Sequence, residues 1–402
     1  MPQNQDVNWI FSRAFLASLP MVLAMVYFTL FEREGLLLET GNVVGRDFVN
    51  YWLGGSVALK GLAESLFSFD KYIVILRETF GPEIKAHNWS YPPHFLMMVV
   101  PFGALPYLLS LFCWSLLGMA CYLVACQKEA WRLDDFLILA LAPAGFDAIF
   151  AGQNGLFTAA LFVGGLRLSG HRPVLAGICF GLLTIKPQLG LLLPFALLAS
   201  RQWTVIASAC VTAAAAILLS GLLFGVETWW LYLTETLQFQ TSIMKGSVKI
   251  AYMMSTVFMS GRVLGLDADT ALLVHMPFVL LAVGAVIWAY SQKRDPMLQH
   301  VVLIAATFVA TPYSFYYDMP VLAYAALLLA RHMEQAGRPT NLYLVPALMW
   351  LWPAFGMSVT INIFPIGPAV ILGFFGVAVR ELYLAGDPAK GQVEPAPAAQ
   401  QA

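Results

Sequence analysis

The sequence predicts an all-α polytopic membrane protein of about twelve transmembrane helices, and three observations predict it. Hydrophobic residues make up 59% of the 402 positions and charged residues 11%. A soluble globular chain carries about 25% charged residues, so this one cannot clothe a water-facing surface. Mean hydropathy is +0.73, and the apolar residues fall in successive runs separated by polar turns. This composition excludes a soluble dinucleotide-binding enzyme, a disulfide-rich secreted module and a disordered scaffold. A net charge of −1, from 22 Lys+Arg and 23 Asp+Glu, gives no electrostatic reason to expect nucleic acid as a partner.

The first run, Ile10 to Leu30, is apolar for about 20 residues, enough to span a bilayer core. It is longer than a signal-peptide core and has no small-x-small cleavage site, so it reads as a retained first helix. The later runs fall at 95–126, 135–150, 154–169, 173–186, 188–200, 203–224, 270–291, 298–311, 317–331, 341–360 and 363–383. Residues 95–126 are overlong for one helix, and Pro101 and Pro106 should kink the run or lay its first part along the interface. The four runs between 135 and 200 hold about 13 to 16 residues each, or roughly 20–24 Å of helix, less than the ~30 Å hydrocarbon core. Their turns must sit within membrane depth, where irregular backbone is tolerated only against protein or a wet cavity. Two of these turns share Gln-x-Gly-Leu, at Gln153 and Gln188, too little to establish a repeat.

Basic residues set the orientation, because short cytoplasmic loops are enriched in Lys and Arg. With the N-terminus cytoplasmic and 95–126 crossing once, Lys128, Arg132, Arg167, Arg172, Arg201, Lys293, Arg294, Arg331 and Arg338 all fall inside. Reading 95–126 as a hairpin would put them all outside. The opposite, extracytoplasmic face collects the long loops 31–94 and 226–269 and the turns at Gln153-Asn154, Lys186-Pro187-Gln188 and Thr311 to Asp318. Loops of that length in a compact protein are commonly functional. Residues 1–385 thus read as one membrane domain, and the Pro/Ala/Gln-rich 386–402 as a disordered cytoplasmic tail.

Five cysteines, without CxxC or Cys/His spacing, suggest neither a metal nor a disulfide framework. No P-loop, GxGxxG, HExxH or Ser-His-Asp order is present. The chemistry must come from single residues on the extracytoplasmic face. Asp47, in Gly45-Arg46-Asp47-Phe48, falls on the first turn of an expected interfacial helix, where the dipole favours an anion; it reads as a catalytic carboxylate, a helix cap or an Arg46-paired surface acid. Asn88-Trp89-Ser90-Tyr91-Pro92-Pro93-His94 reads as a rigid interfacial anchor or as part of a binding site. Lys186 lies between apolar runs; a cation at membrane depth costs about 2.5–3.5 kcal/mol at a helix centre and is a functional candidate by default, unless it snorkels to the interface. Asp318 follows three tyrosines in Tyr313-Ser314-Phe315-Tyr316-Tyr317, a combination common both to carbohydrate sites and to aromatic belts. This inventory fits attack of a hydroxyl on an activated, lipid-linked sugar. The competing reading is a secondary transporter or flippase, which also uses broken helices and midplane charges; it should show two related halves and a site open to both sides.

The order Asp47-Phe48 with Tyr51, Ser90-Tyr91-Pro92-Pro93, Gly152-Gln153-Asn154, Lys186-Pro187-Gln188 and Pro312-Tyr313-Ser314 with Asp318 resembles glycosyltransferase family 87, the polyprenol-phosphate-mannose-dependent α-mannosyltransferases of the GT-C fold. The resemblance covers roughly residues 40–330. It implies an inverting transfer from a polyprenyl-phosphate-linked sugar, mannose or another hexose or pentose, to a hydroxyl of a lipid or glycan acceptor. It further implies Asp47 as general base, Lys186 at the donor phosphate, and Tyr91, His94, Gln153, Asn154, Gln188, Tyr313 and Asp318 lining the sugar and acceptor pocket. No cofactor or metal is expected, and the resemblance implies the inner membrane of a bacterium as the location.

Overall fold

A computed structural model describes residues 7–30, 33–127, 132–246, 248–292 and 294–386. The tail expected beyond Gly386, and the basic residues Lys128 and Lys293, lie outside the described residues. Among the described residues, apart from a small hairpin pairing Arg33–Glu34 with Leu37–Leu38 and two isolated β-bridges, the secondary structure is helical. Among the described residues, six helices are long and apolar enough to cross a membrane: Val7–Tyr27, Tyr107–Cys126, Trp203–Phe224, Ala268–Tyr290, Thr340–Asn362 and Gly367–Ala385. Four more apolar segments, Gly155–Leu168, Pro173–Ile185, Pro187–Ala199 and Pro296–Ala310, are shorter.

Proline explains where the longer runs break. Residues 95–126 form two helices, Phe95–Gly103 and Tyr107–Cys126, with Pro106 extended at ψ 142° between them. Residues 135–150 also divide, into Leu133–Ala140 and Pro143–Phe150, and Pro143 starts the second helix, where its missing N–H leaves nothing unsatisfied. A helix is present at Phe48–Leu59, where the sequence predicts an interfacial one. The long loop 226–269 is not extended chain; it folds into the short helices Glu227–Leu231, Leu237–Gly246 and Val257–Val263.

Small residues set the closest helix contacts, as expected where packing rather than water drives association. A Cβ on Gly177 would lie 2.4 Å from the Ser208 Cβ, and one on Gly181 would lie 2.6 Å from the Thr212 Cβ, so Pro173–Leu182 lies directly on Trp203–Phe224. Likewise a Cβ on Gly103 would meet the Gly55 carbonyl carbon at 2.2 Å, seating the interfacial helix on Phe95–Gly103. Pro296–Ala310 and Pro320–Gln335 are buried along most of their length and form the centre. The outer helices instead present leucines such as Leu218, Leu222 and Leu280.

One end of the bundle is tied by ions. The Arg331 guanidinium donates to Asp135 at 2.7 and 2.8 Å, to Asn8 at 2.5 Å and to Glu334 at 3.0 Å. Beside it the fully buried Glu381 accepts from Arg338 at 2.9 Å. Buried charges persist only when paired in this way. The first helix carries Asn8 at this end and leads away from it toward Gly45; Gly155–Leu168 starts beside Gln153 and ends with Arg167 bonded to the Ala125 carbonyl at 2.5 Å. The opposite end therefore receives the turns at Asp47 and Gln153.

Candidate functional site

Two glycine turns build the site. Gly45 (φ 79°) and Arg46 (φ 42°) both take the left-handed region before the interfacial helix, which a non-glycine residue such as Arg46 enters only at a cost. Gly152 also has positive φ (60°), and a Cβ there would lie 2.4 Å from both the Gly45 oxygen and the Phe48 Cβ. The turns thus touch backbone to backbone, and the Asp47 N–H donates to the Ala151 oxygen at 3.0 Å. Their successors, Asp47 and Gln153, emerge side by side.

The Asp47 carboxylate makes no capping hydrogen bond to its own helix, and it forms no ion pair with Arg46 within 4 Å. It accepts from Gln153 Nε2 at 2.9 Å, and His87 Nε2 lies 3.8 Å from its other oxygen. Its side chain remains 30% exposed, so one face is open to a ligand. The cap and Arg46-pair alternatives are therefore not what this geometry uses.

Gln153 is oriented in turn. Its Oε1 lies 2.5 Å from the Tyr51 hydroxyl and 3.0 Å from that of Tyr91, and the two hydroxyls are 2.6 Å apart. Two hydroxyl hydrogens serve these three contacts, and both point toward an acceptor. Reversing the amide would set Oε1 against the Asp47 carboxylate, acceptor against acceptor, so the amide has one good orientation. Burial, then mutual proximity, pushes the Tyr51 phenol well above its ordinary range, and burial does the same to Tyr91; both stay neutral donors. Gln153 and Tyr91, expected to line the pocket, spend their polar atoms on holding Asp47.

A second group forms around Lys186, which follows the tight turn Leu183–Ile185. Its Nζ lies 2.5 Å from Asp318 Oδ1 and 4.9 Å from the Tyr317 ring centroid. Asp318 Oδ2 accepts from the Phe315 N–H at 3.1 Å, and both charged residues are buried. A Cβ on Gly155 would lie 1.7 Å from the Tyr317 oxygen, so the turn that carries Gln153 and Asn154 packs directly on the turn that carries Asp318. Tyr51, Tyr91 and Tyr313 all lie within electrostatic reach of both Asp47 and Asp318. The two groups form one polar centre.

The remaining expected residues divide. Asn154 is fully buried with neither amide atom hydrogen-bonded, and the Ser314 hydroxyl beside the second turn is in the same state; such groups await a partner. His94 lies 3.3 Å from Thr184 Oγ1 and stacks on Trp229 at 5.8 Å. Burial pushes its imidazole down to about 4, so it is neutral at physiological pH and is not a ready acid. Tyr313 is half-buried and edge-on to Phe315; Gln188 is half-buried and makes none of these contacts.

Sequence reasoning missed Arg46 and Asp147. Arg46 lies over the Phe150 ring at 5.7 Å, and Asp147 is within electrostatic reach of Arg46, Asp47 and Asp318. Asp147 was discoverable as a carboxylate inside an apolar run, which marks a functional candidate. Arg46 carried no such signal, because its left-handed backbone shows only in three dimensions.

Helices of membrane-crossing length around a buried polar centre define a multi-pass membrane protein with a site at one end of its bundle. The model of glycosyltransferase family 87 matches residues 89–312, more than half of the chain, and the chain belongs to that family. Tyr91, His94, Gln153, Asn154, Lys186 and Gln188 lie within the matched residues; Asp47, Tyr313 and Asp318 lie outside them. An α-(1→3)-arabinofuranosyltransferase of Mycolicibacterium smegmatis (strain ATCC 700084 / mc(2)155) is 27% identical over 249 residues, covering 55% of this chain and 54% of the relative. The chain thus spans about half the length of the curated relative it matches. No solved structure matches.

Proposed function

We propose that this family member is a GT-C glycosyltransferase moving one sugar from a polyprenyl-phosphate donor to a hydroxyl of a lipid or glycan acceptor on the extracytoplasmic face of a bacterial inner membrane. The observation that carries the reading is the Asp47 carboxylate, freed from capping, held by Gln153 and open on one side. In a single displacement the acceptor oxygen attacks the anomeric carbon and Asp47 takes its proton. The bond from that carbon to the phosphate oxygen breaks, its electron pair leaves with polyprenyl phosphate, and the configuration inverts. Negative charge grows on the departing phosphate, where a preorganised cation is most effective. Lys186 is one candidate: an ammonium has three N–H donors, and Asp318 occupies one. The donor sugar is mannose by family resemblance, or arabinofuranose if this chain shares the substrate its relative is named for. The test is transfer by the purified protein in nanodiscs, supplied with polyprenyl-phosphate mannose and polyprenyl-phosphate arabinofuranose, with product stereochemistry read by NMR. A product retaining the donor configuration would rule out the single displacement. Release of polyprenyl phosphate from neither donor would count against both sugars.

Arg46 is the second cation at the phosphate in this reading. It adjoins the base in sequence and has an aromatic neighbour rather than a carboxylate within 4 Å. Glycine takes a φ of 42° without steric cost, so Arg46→Gly should fold with stability within about 1 kcal/mol of the parent. Its KM for the donor should nevertheless rise about tenfold, and inhibition by polyprenyl phosphate should weaken in parallel. An unchanged donor KM would reduce Arg46 to a packing partner of Phe150.

A further inference from the structure

A groove of about 620 Å³ runs between the helices Ala268–Tyr290 and Gly367–Ala385, at the end of the bundle tied by Glu381 and Arg338. Both helices pack on Pro296–Ala310, and both are long and apolar enough to cross a membrane. Leu280, Gly284, Trp288, Gly376, Arg380 and Tyr383 line the groove. Leu280 and Tyr383 are exposed, so it opens sideways, where a membrane protein meets lipid. From Leu280 to Trp288 the wall is about 12 Å long at 1.5 Å per residue, a length along which part of an acyl chain can lie.

The glycines of this groove have no use inside the protein. Glycine in a membrane helix ordinarily lets a second helix approach, as Gly177 and Gly181 do under Trp203–Phe224. A Cβ on Gly284 or Gly376 would instead meet nothing within 4 Å beyond its own helix. Glycine is a weaker helix former than alanine, and no contact within the chain offsets that here. The space is kept open toward something outside the chain.

The rim is basic. Arg380 is half exposed and gives one of its five N–H donors to Glu381, a buried carboxylate that also serves Arg338. Arg294 lies 4.0 Å from the Trp288 ring centroid and reaches the Leu382 oxygen at 3.5 Å, so one guanidinium touches both walls. Its Nη2 donates to Gln292 at 2.8 Å, which leaves one N–H on each terminal nitrogen. Among the described residues Arg294 has no carboxylate within 4 Å, and no carboxylate lines the groove. The neighbouring Asp295 turns Oδ1 to the Leu298 N–H at 2.9 Å. Trp288 and Tyr383 beside these arginines suit a membrane–water interface.

We propose that the groove binds an anionic glycerophospholipid, with an acyl chain over Gly284 and Gly376 and the phosphate at Arg380 and Arg294. Basic pockets between membrane helices recognise anionic headgroups, and a guanidinium fork can meet a phosphate with two parallel N–H bonds. A zwitterionic headgroup adds an amine that the arginines repel. Charge also decides against a second copy of this chain as the occupant. A symmetric pair presents the same patch to itself, which would set two basic rims against each other at one depth. The inference is independent of the sugar-transfer reading, because the groove lies at the other end of the bundle from Asp47.

The test uses the full-length protein, delipidated in neutral detergent, with the variants Arg294→Gln/Arg380→Gln and Gly284→Leu/Gly376→Leu. Native mass spectrometry measures binding of phosphatidylglycerol and phosphatidylethanolamine with identical acyl chains, beside thermal unfolding of each protein. The parent should bind phosphatidylglycerol at least about tenfold more tightly, with a preference that falls as salt rises. The arginine variant should lose that preference and keep its phosphatidylethanolamine affinity. The leucine variant fills open space, so it should be as stable as the parent and lose tight phosphatidylglycerol binding. Equal affinity of the parent for the two lipids overturns the proposal, as does a leucine variant that binds phosphatidylglycerol like the parent. If the arginine variant fails to fold, the leucine variant decides alone, because it leaves both guanidiniums and Glu381 in place. A dimeric parent that the leucine variant makes monomeric, with lipid preference unchanged, assigns the groove to a second copy and also overturns the proposal.

Discussion

Asp47→Asn is expected to lower sugar transfer at least about a hundredfold while leaving the protein folded and its donor KM near that of the parent. An aligned general base contributes about 10²–10⁴-fold, and asparagine removes the proton acceptor without changing the shape of the side chain. The amide oxygen of asparagine can still accept from Gln153 Nε2, which now lies 2.9 Å from the carboxylate. That choice turns the new NH₂ outward, so the incoming hydroxyl meets a donor where it needs an acceptor. The surroundings should not relax around the change, because the Gln153 amide is also gripped by the Tyr51 and Tyr91 hydroxyls. The measurement is kcat and donor KM in nanodiscs, beside a thermal unfolding scan. Transfer at the parent rate would remove Asp47 from the chemistry and pass the role to Asp147 or Asp318, the other carboxylates within reach of the same centre.

The gross architecture was legible because bilayer solvation is a crude and strong filter: sparse charge and long apolar runs admit little but a helical membrane protein. The candidate residues were legible for the same reason, since Lys186 and Asp318 stand out as charges beside apolar runs. Their pairing was not. They are 132 residues apart, and no periodicity links them, although the cost of an unpaired buried charge could have suggested that each was the other's partner. The role of Gln153 was also hidden. Its side-chain type fits a sugar pocket equally well, and only the contact between Gly45 and Gly152 brings its amide to Asp47. Proline marks the helix boundaries unevenly: the interruption of 95–126 at Pro106 is legible from its length and its prolines, whereas 135–150 reads as one run and divides just before Pro143.

The pair itself yields the second large effect. Asp318→Asn should destabilise the protein by about 3–5 kcal/mol, the usual penalty for leaving one member of a buried ion pair uncompensated, and Lys186→Met should cost a similar amount for the opposite charge. Both residues are almost wholly buried, and the contact is 2.5 Å, so water cannot make up the loss. The double variant Lys186→Met/Asp318→Leu removes both charges and should recover most of that stability, because replacing a buried pair by apolar side chains is often near neutral. Thermal unfolding in detergent of the two single variants and the double variant gives the coupling energy directly. Singles as stable as the parent would mean that the pair is not held as an ion pair in the folded protein. Activity separates the two uses of the lysine. If its remaining N–H donors meet the donor phosphate, the double variant will be stable yet fail to release polyprenyl phosphate at more than a small fraction of the parent rate. A stable and active double variant would confine the pair to holding the Lys186 and Asp318 turns together, leaving Arg46 as the phosphate's cation. A cation placed at membrane depth to meet a transient phosphate needs a resident anion for the rest of the cycle, and Asp318, anchored by the Phe315 N–H, is positioned to be that anion.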